Sequence, residues 1–108
     1  MKAIIAKRVA SGTPDLSEIR ALAEAAGYDV VGSLSQSRVE DSAYGFGKGK
    51  VHELHDLVRT QGADVVIVDN RLGPYQIYNI GQALPEGTEV IDRFTLILEI
   101  FGQRAHTR

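Results

Sequence analysis

Tyr44-Gly45-Phe46-Gly47-Lys48-Gly49-Lys50 sets three glycines at alternate positions, with lysines after the second and the third. Glycine at such spacing gives the backbone conformations that a Cβ would forbid. The residues after this run are helical in pattern, because Val51, Leu54, Leu57 and Val58 fall at i, i+3, i+6 and i+7. A glycine-rich turn that feeds a helix points free N–H groups and the positive dipole end at one spot, which suits an anion. Lys48 and Lys50 stand at that spot, where a cation costs roughly 0.3–1 kcal/mol against the dipole. The arrangement implies that something negative arrives there; the plainer reading is a turn with solvated lysines. The run is not a nucleotide-binding P-loop: Lys48 is followed by Gly49 and Lys50 by Val51, so no hydroxyl is placed to hold magnesium.

Two further polar runs come after apolar ones. Asp69-Asn70-Arg71 succeeds Ala63-Asp64-Val65-Val66-Ile67-Val68, and Asp92-Arg93 succeeds Val90-Ile91. With Ser11-Gly12-Thr13 and Gly47–Lys50, they predict a phosphate-sized basic pocket formed by Lys48, Lys50, Arg71 and Arg93. Asp69, Asn70 and Asp92 would orient the ligand or hold the arginines. The competing reading makes Asp92 a helix cap and Asp69 a partner of Arg71. His52 and His55 share an i, i+3 spacing, but no third ligand lies at metal spacing, so no metal site is assigned. Tyr44, Tyr75 and Tyr78 are read as half-buried over helices rather than as base-stacking groups. No nucleophile, base and acid are arranged for catalysis, and no catalytic residue is assigned.

These runs are positioned by alternating strands and helices. Ala3 to Val9 predicts a first strand, and Thr13 a helix N-cap with Pro14 at the first helical position. Leu16, Ile19, Leu22, Ala23 and Ala26 form the stripe of that helix, and Gly27 ends it. Tyr28 to Leu34 reads as the second strand, and polar Ser35 to Ala43 as an exposed, mobile connection. The second helix runs from about Lys48 to Gln61 with Gly62 as its stop, and Asp64 to Val68 is a central third strand. A third helix spans Tyr75 to about Ala83, Pro85-Glu86-Gly87 is a turn, and Thr88 to Ile91 a fourth strand. A last helix starts at Arg93, capped by Asp92. Strand–helix alternation gives right-handed crossovers: an α/β fold with a four-stranded parallel sheet in order 2-1-3-4 and helices on both faces. Every strand-to-helix loop then shares the carboxyl rim, where such folds bind ligands. A phospho-acceptor receiver has the same layers but needs paired acids after the first strand, where Lys7, Arg8 and Val9 stand.

In the last helix, Phe94, Ile97, Leu98 and Phe101 are read as facing the sheet, while Leu96 and Ile100 point elsewhere. Exposing those two would forgo roughly 1.5–3 kcal/mol each, so they are expected to meet a partner or a second copy. The 108 residues make one domain, 1–108, with 44% hydrophobic and 24% charged residues. A net charge of −2 argues against a general nucleic-acid coat but leaves room for a local basic patch. Cysteine is absent, which excludes disulfides and thiolate metal sites, and no membrane span or signal pattern is seen; the expected location is cytoplasmic.

Gly47-Lys48-Gly49-Lys50 with Glu53-Leu54 resembles a loop in the N-terminal domain of the HflX family of ribosome-associated GTPases. Ala63 to Asn70 with Leu72, Pro74 and Gln76 resembles that domain's second marker. Val90 to Phe101 with Arg104 to Arg108 resembles its third. The match covers roughly the last two thirds of the chain. It departs at Tyr78 and Ile80-Gly81, where members usually continue with Arg-Asn-Leu-Glu-like residues. The resemblance implies the domain of a GTPase that binds the large ribosomal subunit, contacts its RNA and restrains a GTPase domain. GTP and magnesium would be bound only by that further GTPase domain, which these residues lack, joined through a helical extension. In some members the N-terminal domain is associated with ATP, so the alternative is a nucleotide-binding domain that uses the Gly47–Lys50 loop.

Overall fold

The computed structural model describes residues 1–102. Its elements are β1 (Lys2–Val9), α1 (Ser17–Ala25), β2 (Asp29–Ser37), α2 (Lys48–Gln61), β3 (Val65–Val68), α3 (Pro74–Ala83), β4 (Glu89–Asp92) and α4 (Arg93–Ile100). The four strands are parallel in the order β2-β1-β3-β4, as the sequence predicts. β1 and β3 hold the middle, and every residue of β3 is buried, which is why that run is apolar throughout.

Alternation along the strands divides the interior in two. Ile4, Ala6, Val66 and Val68 face α2 and α3, where Phe46, Val51, Leu54, Val58 and Ile80 complete one core. Ala3, Ile5, Val65 and Ile67 face α1 and α4, where Ile19, Ala23, Ile91 and Leu96 complete the other. β1 is twice the length of β3, so Lys7, Arg8 and Val9 pair only with Ser35, Gln36 and Ser37 of β2. The backbone of Arg8 would be open on its other side. Asn70 closes it like a strand residue: its Oδ1 accepts from Arg8 N–H at 2.8 Å and its Nδ2 donates to Arg8 C=O at 2.7 Å.

Several expectations need correction. α1 begins at Ser17 rather than after Thr13. The Asp15 carboxylate accepts from Ser17 N–H and its hydroxyl at 2.9 and 2.8 Å, a local turn that displaces the helix start past Pro14. Ser35–Ser37 belong to β2, and the segment after them is fastened rather than loose. Asp41 and Gly45 exchange backbone hydrogen bonds at 2.9 and 2.8 Å. Gln76 donates to Glu40 and to the Asp41 carbonyl, and Asn79 donates to the Ala43 carbonyl. Tyr44 packs on the α2–α3 core, whereas Tyr75 and Tyr78 are exposed.

α4 is turned the other way from the expected one. Leu96 is fully buried against the sheet, while Phe94 and Phe101 lie on the exposed side. Leu96 is therefore unavailable for self-association, and Ile100 is half-buried. The physical reason lies at the start of the helix: Asp92 caps it by accepting from Thr95 N–H at 3.0 Å, and Arg93 is drawn back to Asp69 and Glu18. Those contacts fix the rotation of the helix. Arg104 to Arg108, part of the third resemblance, lie outside the described residues.

Candidate functional site on the carboxyl rim

The predicted site residues all reach the carboxyl rim, but they form two groups rather than one basic pocket. The first lies over β3 and β4. Asp69 is 8% exposed. Its Oδ1 accepts from Arg93 Nη1 at 3.1 Å, and Lys7 Nζ stands 3.3 Å from Oδ2. Lys7 is off hydrogen-bonding alignment, so that oxygen has no donor among the described residues. Arg93 also meets Glu18, Nη2 to Oε2 at 2.9 Å, and Lys7 donates to the Asp15 carbonyl at 3.1 Å. Glu18 first and Asp69 second hold the Arg93 guanidinium above its ordinary pKa, so its charge is fixed. Acid and base neutralise each other across this chain of four side chains, which leaves little for an incoming phosphate.

Beside it, a cavity of about 620 Å³ is lined by Asp69–Leu72 and by Asp92, Arg93, Phe94 and Ile97. Gly47–Lys50 take no part in that lining. Of the predicted residues here, Asn70 is committed to Arg8, Asp92 to the α4 cap, and Asp69 pairs with Arg93 and Lys7 rather than with Arg71. Arg71 is exposed and has no acidic partner among the described residues.

The second group lies where β2 gives way to α2. Gly47 is the N-cap residue, buried, with extended backbone and no side chain capping the helix. Its N–H donates to Gln36 Oε1 at 2.8 Å. A Cβ on Gly47 would collide with the Arg38 guanidinium and approach Gln36 Nε2 to 3.0 Å. A side chain here would have to displace the ends of Arg38 and Gln36, which lie across the glycine. Gly49 is different: it is exposed, and a Cβ there would meet nothing within 4 Å. Lys48 is exposed, and Lys50 makes a surface pair with Glu53 at 3.2 Å. Such a pair is worth about 0–1 kcal/mol and releases readily. The helix N-terminus, Lys48 and Arg38 thus form a positive end with no acid set against it among the described residues.

Sequence reasoning missed Lys7, Glu18, Gln36 and Arg38. Lys7 was open to discovery, since it continues the Ala3–Ile5 face of β1 just as Asp69 continues the Val65–Ile67 face of β3. His55 is structural: its Nδ1 hydrogen-bonds the Ala83 carbonyl at 3.0 Å and ties α2 to the end of α3. Among the described residues no cluster of metal-binding side chains is present, and no helix is long and apolar enough to cross a membrane.

Comparison with known proteins agrees with the layers and the loops. A family model described as "GTP-binding GTPase N-terminal" matches residues 13–102. The chain is 48% identical over 111 residues to a GTPase HflX of Thermofilum pendens, with 99% of this chain and 26% of that one covered. It is 40% identical over 94 residues to the GTPase HflX of Escherichia coli, covering 86% of this chain and 22% of that one. Among solved structures, a GTP-binding protein of Sulfolobus solfataricus in complex with GDP superposes with a TM-score of 0.70 at 26% identity. That match takes in 94% of this chain and 30% of that one. A structure of SsGBP with GDP gives a TM-score of 0.75 at 24% identity, over 100% of this chain and 31% of that one, and shows the shared fold alone. The chain thus spans about a quarter of the length of these curated relatives. It belongs to the GTP-binding GTPase N-terminal family, as the N-terminal domain of HflX GTPases.

Proposed function

We propose that this domain docks an HflX-type GTPase onto RNA of the large ribosomal subunit. The contact is made by the positive entrance of α2, where Lys48, Lys50 and the neighbouring Arg38 meet phosphate. The observation that carries this reading is the uncapped, unopposed N-terminus of α2, with Gly49 leaving its backbone open to close approach. Arg71 adds a further exposed cation on the same rim. Arg93 drops out of the phosphate-binding set, because Glu18 and Asp69 already hold it. The domain works in the cytoplasm, and GTP and magnesium belong to the GTPase module elsewhere in the longer protein. In this proposal 1–108 is a single domain without that module. The domain also meets the helical and GTPase parts of the longer protein and so couples docking to hydrolysis. The test is co-sedimentation with large ribosomal subunits. Lys48→Ala/Lys50→Ala should weaken binding and lower the salt slope by about two, with the fold intact. Unchanged binding would reject the docking reading.

A second reading has the same open N-terminus bind ATP, since Gly49 leaves room for a phosphate against the backbone. It predicts saturable ATP binding by NMR, lost on Lys48→Ala. No shift of the Gly47–Val51 amides with ATP would remove it.

A further inference from the structure

The cavity over β3 and β4 has a chemistry unlike that of the α2 entrance, and the groups its lining leaves free define its occupant. This inference rests on the RNA-docking reading. The volume, about 620 Å³, lies in the range of small-ligand sites. Leu72 and Ile97 give apolar wall, and Phe94, 68% exposed, holds an aromatic ring at the edge. A flat ring stacked on Phe94 would remove that face from water. The polar groups are mostly spent: Asn70 on Arg8, Asp69 Oδ1 on Arg93, and Asp69 Oδ2 in its ion pair with Lys7. Two remain. Asp92 gives Oδ1 to the helix cap, which leaves its second oxygen to accept from an N–H. Arg71 is an exposed cation without an acidic partner among the described residues.

Charge then selects between kinds of nucleotide. A nucleoside triphosphate would bring several negative charges to one uncommitted cation flanked by two carboxylates. There is also no metal-binding cluster among the described residues to offset them. A phosphodiester brings one charge, which Arg71 matches. We propose that the cavity seats one unpaired nucleotide of an RNA strand, its base stacked on Phe94 with an amino edge toward Asp92 and its phosphodiester on Arg71.

The experiment titrates a short single-stranded RNA carrying 2-aminopurine into the protein and reads fluorescence and affinity. Binding to the parent should quench the probe. Phe94→Ala, at an exposed position, should weaken binding about fivefold or more and remove the quench, and Phe94→Trp should keep it. Arg71→Ala should lower the salt slope by about one. Parent-like quenching and affinity in Phe94→Ala would overturn the seat, as would tighter binding of free ATP than of the RNA at Phe94. If Phe94→Ala changes nothing while Lys48→Ala/Lys50→Ala loses large-subunit binding, the seat fails and the docking reading stands. If the quench depends on Phe94 while that lysine pair leaves subunit binding unchanged, the docking reading fails and the seat stands.

Discussion

On the β3–β4 side of the rim, Lys7 and Arg93 close on Asp69 and Glu18. On the β2 side, Lys48 and Arg38 stand beside the open end of α2 with no acid paired to them among the described residues. Both regions carry basic residues and lie at the same edge of one sheet. They differ in how burial treats the charge. Asp69 is buried and must be neutralised from within the chain, so its neighbours are fixed by the fold. Lys48 is in water and costs the fold little beyond its quarrel with the helix dipole. A charge that folding does not require is the one available to a ligand.

The contrast breaks most visibly at Asp69. Asp69→Ala should cost about 3 kcal/mol in urea unfolding, because it leaves two part-buried cations facing each other without their acid. A loss below about 1 kcal/mol would mean the network is ornamental. Next is Asn70→Ala, which strips Arg8 of both its backbone partners and should cost about 1–2 kcal/mol by the same measurement. On the other side of the rim the expected sign reverses. Gly49→Ala meets open space, so it should leave stability unchanged or raise it by up to about 1 kcal/mol. It should nevertheless weaken ligand binding if the ligand approaches the backbone closely, and calorimetry on parent and variant separates the two effects.

The smallest effect concerns Asp15. Hydrogen bonds from Ser17, backbone first and hydroxyl second, lower its pKa from the ordinary 3.8. A depressed folded pKa contributes stability that is present above the unfolded value and lost as pH falls through the folded one. Asp15→Asn should therefore lower stability slightly at neutral pH and flatten the acid limb, so that parent and variant converge as pH falls below the ordinary value, as read by unfolding at several pH values.

Much of this was legible in the sequence where local chemistry decides. The αL conformation of Gly62 ends α2 where its position after Gln61 says it should, and Asp92 caps α4 as its place before Arg93 implies. The parallel sheet followed from strand–helix alternation, and the central place of β3 from its unbroken apolar run. What sequence could not supply depended on contacts far apart in the chain. The Asp69–Lys7 pair joins two strands in register, and the Arg93–Glu18 pair joins α4 to α1. Without those contacts the rotation of α4 is undetermined, because Phe94, Leu96, Ile97, Leu98 and Ile100 are apolar on several sides. The same gap explains why one pocket was expected and two regions are found: Arg93 looks like a ligand-binding cation until Glu18 is seen beside it.

The central claim is that binding runs through the open entrance of α2 and not through the network around Asp69. Its most direct test is the salt dependence of co-sedimentation with large ribosomal subunits, measured for the parent and for Lys48→Ala/Lys50→Ala. The account predicts a steep dependence for the parent and a slope smaller by about two for the variant, with the unfolding midpoint unmoved. A slope that is the same in both proteins would contradict it.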